Sequence, residues 1–323
     1  MIAAPGALVV GEALVDVVRD AGGHVTEHPG GSPANVAIGL SRLGRPVRLS
    51  TWFGSDAHGD LVRAHLTGAG VDLTWGSDGA ERTSTALARL DSDGAAQYTF
   101  DLEWRVPAIT VDEHVRVLHA GSIAATLPPG ADEVARLLNG GATHATISYD
   151  PNVRPTIMGE VGPARERIEA LVASADVVKV SDEDLTWLYP EQDPIASARN
   201  WAHRGPALVV VTRGGSESVG LCAAGEVRVP SPLVSVVDTV GAGDSYMAAL
   251  LDALWRADLL GASRRRALHR IGTTGLRAAM THAAAAAALT VSRAGANPPS
   301  RDELEQSLAR HGTSTPAPRA EDA

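Results

Sequence analysis

Short apolar runs alternate with amphipathic segments of helical length along most of the chain. Strands buried on both faces have this apolar character, and the segments between them place apolar residues at helical spacing. The predicted strands are Ala7–Val10, Val47–Thr51, Arg116–His119, Thr146–Asp150, Val177–Val180 and Ala207–Thr212. The predicted helices are Asn35–Leu43, Ala131–Leu138, Arg165–Ala173, Ile195–His203 and Ser245–Arg256. The alternation predicts a three-layer α/β/α sandwich with a mainly parallel central sheet.

Two segments, near 15–28 and 83–105, depart from this rhythm. Both alternate polar and apolar residues with a period of two, which is typical of short strands with one exposed face. In the second, residues 92–94 (SDG) have the composition of a hairpin turn. We expect a small accessory β-sheet, with an extension of the main sheet edge as the alternative. Residues 1–310 are expected to form one domain, followed by a disordered Pro/Ser/Thr-rich tail at 311–323.

The composition limits the possible partners. The chain has 323 residues, 44% of them hydrophobic, and its 28 basic and 38 acidic residues give a net charge of −10. This balance argues against a nucleic-acid-binding surface, which needs clustered basic residues. The amino terminus lacks the basic stretch of a signal peptide, and no apolar run is long enough to span a membrane. We therefore expect a cytoplasmic protein with neither nucleic-acid nor membrane partners.

A glycine-rich segment, DTVGAGD, ends at Asp244 and precedes a predicted helix. The apolar positions that follow it at helical spacing are Met247, Leu250, Leu251 and Leu254. The small residues Gly241, Ala242 and Gly243 leave backbone amides accessible at the positive end of that helix, which suits a phosphoryl group. Asp244 could accept a proton from an attacking hydroxyl, or it could cap the helix, and spacing alone leaves both roles open.

A second glycine-rich segment, GGSPANVA, begins at Gly30. Gly30 and Gly31 allow close backbone approach, and Pro33 suits the first position of a helix. Asn35 would then lie in the first turn with its amide free to bind a ligand. Asp16 follows the first strand, at the edge where open α/β sheets bind ligands.

These two motifs, in this order and roughly two hundred residues apart, resemble those of the ribokinase-like (PfkB-type) carbohydrate kinases. The resemblance implies a ribokinase-like fold whose accessory sheet is a lid over the sugar, and an enzyme that uses ATP and Mg²⁺. It implies that Asp244 is the catalytic base and that Gly241, Ala242 and Gly243 form the anion hole. The substrate-binding residues that it implies are Asp16, Gly30, Gly31, Asn35 and Arg154. Lids of two subunits often clasp each other in this family, so a homodimer through the lid is expected.

Further matches concern the nucleotide and the cations. The resemblance implies ATP contacts for Ser181, Thr212, Gly214, Gly215, Gly243 and Gly295. It implies a magnesium contact through water for Asp184 and a potassium (K⁺) site near Asp238. Ser181 and Asp184 stand where the family usually has Asn-x-x-Glu, so the acid is shorter here, and Glu183 is a second candidate for it.

The motifs most resemble the fructokinase branch, which implies transfer of the γ-phosphoryl group of ATP to a primary hydroxyl of fructose. The main alternative is a 2-keto-3-deoxygluconate kinase, whose substrate carboxylate would need a cation such as Arg105 or Arg154. An alternative of another class is a non-catalytic sugar- or nucleotide-binding protein on the same fold. The aromatic residues Tyr98, Phe100 and Trp104 of the second β segment could pack internally or cover the sugar.

Overall fold

The computed structural model describes residues 5–19, 22–90 and 96–312. Its larger sheet has nine strands: β1 (Gly6–Val10), β4 (Val47–Ser50), β5 (Asp72–Leu73), β8 (Val115–Gly121), β9 (Thr146–Asp150), β10 (Val177–Ser181), β11 (Leu208–Arg213), β12 (Glu217–Cys222) and β13 (Gly225–Pro230). The strand order is β13-β12-β11-β10-β9-β8-β1-β4-β5. All neighbours from β5 to β11 are parallel, whereas β12 and β13 form an antiparallel edge. The six predicted strands are all present.

A separate sheet, here named the lid sheet, has four strands. They are β2 (Leu14–Arg19), β3 (Val25–Gly30), β6 (Thr85–Leu90) and β7 (Ala96–Asp101), in the order β3-β2-β6-β7. Strands β2 and β6 are parallel, and the two outer pairs are antiparallel. The two β segments therefore form a sheet of their own instead of extending the main sheet. The turn predicted at residues 92–94 lies outside the described residues.

The helices cover both faces of the large sheet. They are α1 (Ser32–Arg42), α2 (Ala57–Gly68), α3 (Gly130–Gly141), α4 (Pro155–Met158), α5 (Val161–Ser174), α6 (Asp182–Leu188), α7 (Pro194–Ala202), α8 (Ala242–Arg256), α9 (Arg265–Leu268), α10 (Thr273–Val291) and α11 (Arg301–Gly312). Helices α1, α8 and α10 pack on one face, and α3, α5, α6 and α7 on the other. This confirms the three-layer prediction. The predicted tail begins within the last residues of α11, and residues 313–323 lie outside the described part of the chain.

The position of α8 is fixed by a buried charge cluster around Asp252, whose side chain is fully buried. Asp252 accepts hydrogen bonds from Arg45 at 2.6 Å and Arg301 at 2.8 Å, and its second oxygen lies 3.1 Å from His282 Nε2. Arg45 precedes β4, Arg301 lies on α11 and His282 lies on α10. The Asp252 carboxylate therefore connects three segments to α8. Burial opposes ionisation, but these hydrogen bonds and the Arg45 charge hold the pKa of Asp252 well below its ordinary value. Within the described residues, no helix is long and apolar enough to cross a membrane.

Candidate active site

Asp244 lies in the first turn of α8, but it does not cap the helix. The helix begins at Ala242, and its capping residue is Gly241, in the left-handed region at φ 75°. A Cβ atom at Gly241 would also lie 2.6 Å from Cβ of Ala296, so both backbone angle and space favour glycine there. The helix-cap alternative for Asp244 is therefore wrong, and its carboxylate is available for another role.

The Asp244 carboxylate joins the two glycine-rich segments. One oxygen accepts a hydrogen bond from Ser32 Oγ at 2.6 Å, and the other accepts one from Asn35 Nδ2 at 2.8 Å. The Asp244 side chain is buried, and burial raises its pKa. The hydrogen bonds from Ser32 and Asn35 oppose this rise, as do the charges of Lys179 and Arg154. The site thus holds a desolvated carboxylate in a fixed orientation, as a general base requires.

Backbone amides at the start of α8 lie open to an anion. The Ala242 amide donates to the Thr239 carbonyl at 3.3 Å, whereas the amides of Gly241, Gly243 and Asp244 have no acceptor among the described residues. They stand at the positive end of a 15-residue helix. This arrangement suits the negative charge of a phosphoryl group.

A buried ion pair lies beneath this helix end. Lys179 on β10 donates to the Asp150 carboxylate at the end of β9, at 2.8 Å, and both side chains are buried. A Cβ atom added at Gly243 would lie 2.8 Å from Lys179 Nζ, so the ammonium packs directly against the glycine segment. Burial raises the pKa of Asp150 to about 6, and the Lys179 charge limits that rise.

The sequence motifs gave Lys179 no role in the site. One signal could have found it, because Lys179 is the only lysine in the 323-residue chain and is flanked by valines on a predicted buried strand. A charged residue in such a strand is buried only when a partner compensates its charge.

The predicted sugar side of the site begins on the lid sheet. Asp16 lies on β2 with its side chain exposed, and a Cβ atom at Gly30 would come within 2.9 Å of its carboxylate. Gly31 has a φ of 112°, and a Cβ atom there would lie 2.5 Å from the Glu12 carbonyl oxygen. Both glycines therefore let the lid strands pass close to the start of α1, where Asn35 lies.

Arg154 follows β9 and is exposed, with Nη1 held by the Asn152 carbonyl, the Asn152 side chain and the Val153 carbonyl. Desolvation raises the pKa of Asp16 and of Asp244, and the positive charge of Arg154 opposes both rises, so the guanidinium acts on both halves of the candidate site. Glu12 is a further buried acid beside it that the sequence motifs left without a role. Burial raises the pKa of Glu12 to about 7, although its carboxylate accepts a hydrogen bond from the Ala124 amide at 3.1 Å.

Four of the predicted nucleotide residues lie at or just after the carboxyl ends of β10 and β11. Ser181 and Thr212 are directly paired in the parallel register, and Gly214, with φ 51°, and Gly215 form the turn after β11. Gly295 lies on the segment after α10 and donates its amide to Asp238 at 2.8 Å.

The departure from Asn-x-x-Glu has a structural explanation. Ser181 caps α6, its hydroxyl accepts the Asp184 amide at 3.0 Å, and Asp184 accepts the Ser181 amide in return at 3.2 Å. This is a capping box, which satisfies two amides at the start of a helix. The second Asp184 oxygen accepts the Val153 amide at 2.9 Å, so both oxygens already serve the backbone.

The two predicted metal contacts differ in their fit. Because both Asp184 oxygens bind amides, Asp184 does not suit direct coordination of magnesium. No group of three or more His, Cys, Asp or Glu side chains able to hold a metal occurs in the part of the chain that the structure describes. Asp238 is half-buried, and hydrogen bonds from the Val240 and Gly295 amides lower its pKa, so it stays ionised beside the segment after α10. Both Asp238 oxygens also accept amides, so a cation here would be attracted by the charge and not bound directly by the carboxylate.

Trp104 packs inside the protein, which is the first of the two alternatives given for the aromatic residues of the second β segment. It is buried, its indole Nε1 donates to the Ala124 carbonyl at 2.9 Å, and a Cβ atom at Gly130 would clash with its ring. Phe100 is half-buried in a small apolar cluster with Leu14 and Ile123, between the lid sheet and the main body. The side chain of Tyr98 lies outside the described part.

Comparisons with known proteins agree with this geometry. Residues 5–303 match the pfkB family of carbohydrate kinases. A fructokinase from Rhizobium leguminosarum bv. trifolii is 34% identical over 264 residues, which are 78% of this chain and 81% of that protein. The crystal structure of a fructokinase from Xylella fastidiosa with bound ATP has a TM-score of 0.81 at 24% identity, covering 96% of this chain and 100% of that one.

A third relative is a fructokinase double mutant from Vibrio cholerae O395, solved with fructose, ADP and a potassium ion. It has a TM-score of 0.75 at 26% identity and covers 94% of this chain and 99% of that one. The lid sheet and the mainly parallel large sheet are thus those of the ribokinase-like fold. The chain belongs to the pfkB family and is an ATP-dependent carbohydrate kinase.

Proposed function

We propose that this kinase transfers the γ-phosphoryl group of ATP to a primary hydroxyl of fructose. The observation that carries the proposal is the Asp244 carboxylate, held by Ser32 and Asn35 at the point where the anion-binding helix end meets the sugar motif. The similarity to fructokinases supports fructose as the substrate. Membership of a kinase family favours catalysis over the alternative of a binding protein.

The sugar would bind between the lid sheet and the start of α1, with Asp16, Gly30, Gly31, Asn35 and Arg154 as its contacts. Asn35 supports this assignment, because its side-chain oxygen is buried and has no hydrogen-bond partner among the described residues. Such an atom is costly to leave unpaired, and a sugar hydroxyl would satisfy it. Closure of the lid would exclude water and limit ATP hydrolysis.

In the proposed mechanism Asp244 accepts the proton of the attacking hydroxyl as oxygen approaches the phosphorus in line. The open amides of Gly241, Gly243 and Asp244 would hold the charge that develops on the phosphoryl group, whereas the Ala242 amide is occupied by the Thr239 carbonyl. The nucleotide would lie along Ser181, Thr212, Gly214, Gly215, Gly243 and Gly295. Magnesium supplies positive charge to the phosphates when bound, and Asp184 would reach it only through water.

We further propose a potassium site at Asp238 and residues 292–296. The ionised carboxylate and its hydrogen bond to the Gly295 amide support this location. A bound cation would supply positive charge there and would order the loop that leads to Gly241.

We also propose a homodimer through the lid sheet, whose outer strands β3 and β7 have a strand neighbour on one side only within the described residues. Light scattering coupled to size-exclusion chromatography would measure the mass, and a monomer at micromolar concentration would contradict the proposal.

A panel of acceptors tests the substrate. ADP release is measured in a coupled assay with fructose, 2-keto-3-deoxygluconate, ribose and adenosine. We expect the highest kcat/KM for fructose, and a clear preference for another compound would overturn the proposal.

A 2-keto-3-deoxygluconate kinase is the second candidate, and Arg154 is the observation that favours it. Among the described residues only Nη1 of its guanidinium is hydrogen-bonded, and its charge acts on both Asp16 and Asp244. Arg105, in contrast, is 62% exposed and faces Glu103 at 3.4 Å. If this candidate is correct, Arg154→Ala lowers kcat/KM for the keto acid more than for fructose, whereas Arg105→Ala changes the two equally.

A further inference from the structure

The basic residues of this chain are almost all arginine, and the exception lies beneath the candidate active site. Lys179 is the only lysine, and the other 27 of the 28 basic residues are arginine. Lys179 is 4% exposed. A planar guanidinium and a compact ammonium are not interchangeable in a confined site. The position of Lys179 explains the exception, because its Nζ fits between the Asp150 carboxylate and the backbone of Gly243.

Three carboxylates act on Lys179: Asp150, Asp184 and Asp244. Burial disfavours the charged ammonium, but these carboxylates outweigh burial, and the pKa of Lys179 is raised. Lys179 is therefore positively charged near neutral pH.

The other groups around Lys179 do not replace this charge. His119 on β8 is buried, with Nδ1 at 2.9 Å from Ser148 Oγ, and burial together with the Lys179 charge lowers its pKa to about 3. It is therefore neutral. Arg154 is the second cation that acts on Asp244, but it is exposed, so solvent screens its charge.

We propose that Lys179 is a positioning residue of the phosphoryl-transfer site: held by Asp150, its ammonium supplies the buried positive charge that balances the Asp244 carboxylate. The proposal rests on the proposed role of Asp244 as the base. Because Lys179 Nζ would lie 2.8 Å from a Cβ atom at Gly243, the same ammonium adds positive charge behind the anion-binding amides.

The proposal predicts that substitutions at Lys179 and at Asp150 shift the pKa of Asp244 in opposite directions. Burial raises the pKa of Asp244, and the Lys179 charge opposes that rise. Loss of the positive charge would therefore let the pKa rise further, and the base would be protonated over a wider pH range. Asp150 and Asp244 repel each other, so neutralising Asp150 would favour the ionised form of Asp244. This second effect requires that Lys179 stay charged, which Asp184 and Asp244 support.

The experiment measures kcat/KM for the preferred sugar of the panel against pH, at saturating Mg·ATP. For Lys179→Met we expect the acid limb to move to higher pH, so that the ratio of wild-type to variant activity grows as pH falls. For Asp150→Asn we expect the acid limb to move to lower pH. Arg136→Met, which removes a 72% exposed cation on α3, is the matched control and should leave the profile unchanged.

If the Lys179–Asp150 ion pair is merely structural, we expect a different result. Both substitutions would then lower kcat without moving the acid limb of the pH profile in opposite directions. Limbs that stay in place in folded variants, or that move the same way, would overturn the proposal. If circular dichroism shows that Lys179→Met does not fold, Lys179→Arg and Asp150→Asn provide the test. Lys179→Arg keeps the charge and should leave the limb in place even where kcat falls. A nearly wild-type rate for Asp244→Asn would instead reject the base assignment itself.

Discussion

At the scale of single residues, the site depends on one carboxylate held by donors from a distant part of the chain. Ser32 and Asn35 lie 212 and 209 positions from Asp244. The amino-acid sequence predicted Asp244, Asn35 and the glycines, because each belongs to a local motif. It did not predict that Ser32 and Asn35 bind Asp244, or that Lys179 lies against Gly243, because such contacts leave no periodic pattern along the chain.

Asp244→Asn tests the base directly. The amide keeps the size of the side chain but cannot accept the proton, so we expect kcat to fall by about 10²–10⁴. ATP binding should change little, because the backbone amides of the helix end remain. Steady-state kinetics give the rate and titration calorimetry gives the affinity for ATP. A variant that retains its rate would show that the proton leaves by another route.

At the scale of elements, patterns predicted the buried strands better than the short or polar elements. Strands β9 and β10 are almost fully buried and were predicted almost to the residue, whereas β5 has only two residues, too few to show a period. Helix α6 has only seven residues, but its start could have been predicted from the Ser181–Asp184 capping box. Pro33 predicted the first turn of α1, whereas the pattern of apolar positions began α5 four residues late, at Arg165 instead of Val161.

The orientation of α8 gives a prediction about stability. Asp252→Asn leaves Arg45 and Arg301 without their buried counter-charge, and we expect the free energy of unfolding to fall by about 3 kcal/mol at pH 7. The folded-state pKa of Asp252 is depressed, so its contribution is complete above the ordinary carboxyl pKa. That contribution is lost as pH falls through the folded-state pKa.

Urea unfolding at pH 7 and near pH 3 would measure the difference between wild type and Asp252→Asn. The difference should shrink at the lower pH. Asp302→Asn, at the exposed start of α11, is a control expected to change stability little at either pH. An equal difference at both pH values would show that Asp252 does not titrate as its contacts indicate.

At the scale of the whole molecule, alternation of strands and helices predicted the layers and the separate lid sheet. It could not predict the hairpin of β12 and β13, because no helical segment separates them from β11. Nor could it predict the close approach of Gly31, at the start of α1, to the Glu12 backbone just before β2. The single domain over residues 1–310 stays a prediction.

The proposed potassium site couples two distant segments, residues 238–241 and 292–296. If a cation there orders the anion-binding loop, kcat/KM should be about fivefold or more higher in potassium chloride than in tetramethylammonium chloride of equal ionic strength. Asp238→Asn should lose most of this difference. Equal kcat/KM values in the two salts would contradict the proposed potassium site.

The solitary lysine also makes the molecule unusually simple to observe. In a chain with one ε-amine, a sample labelled with ¹⁵N only in lysine carries its side-chain label at a single atom, under the first turn of α8. Every change in that resonance reports on the floor of the site and on nothing at the surface. The order in which sugar and nucleotide arrive could therefore be followed from one peak, without altering any residue.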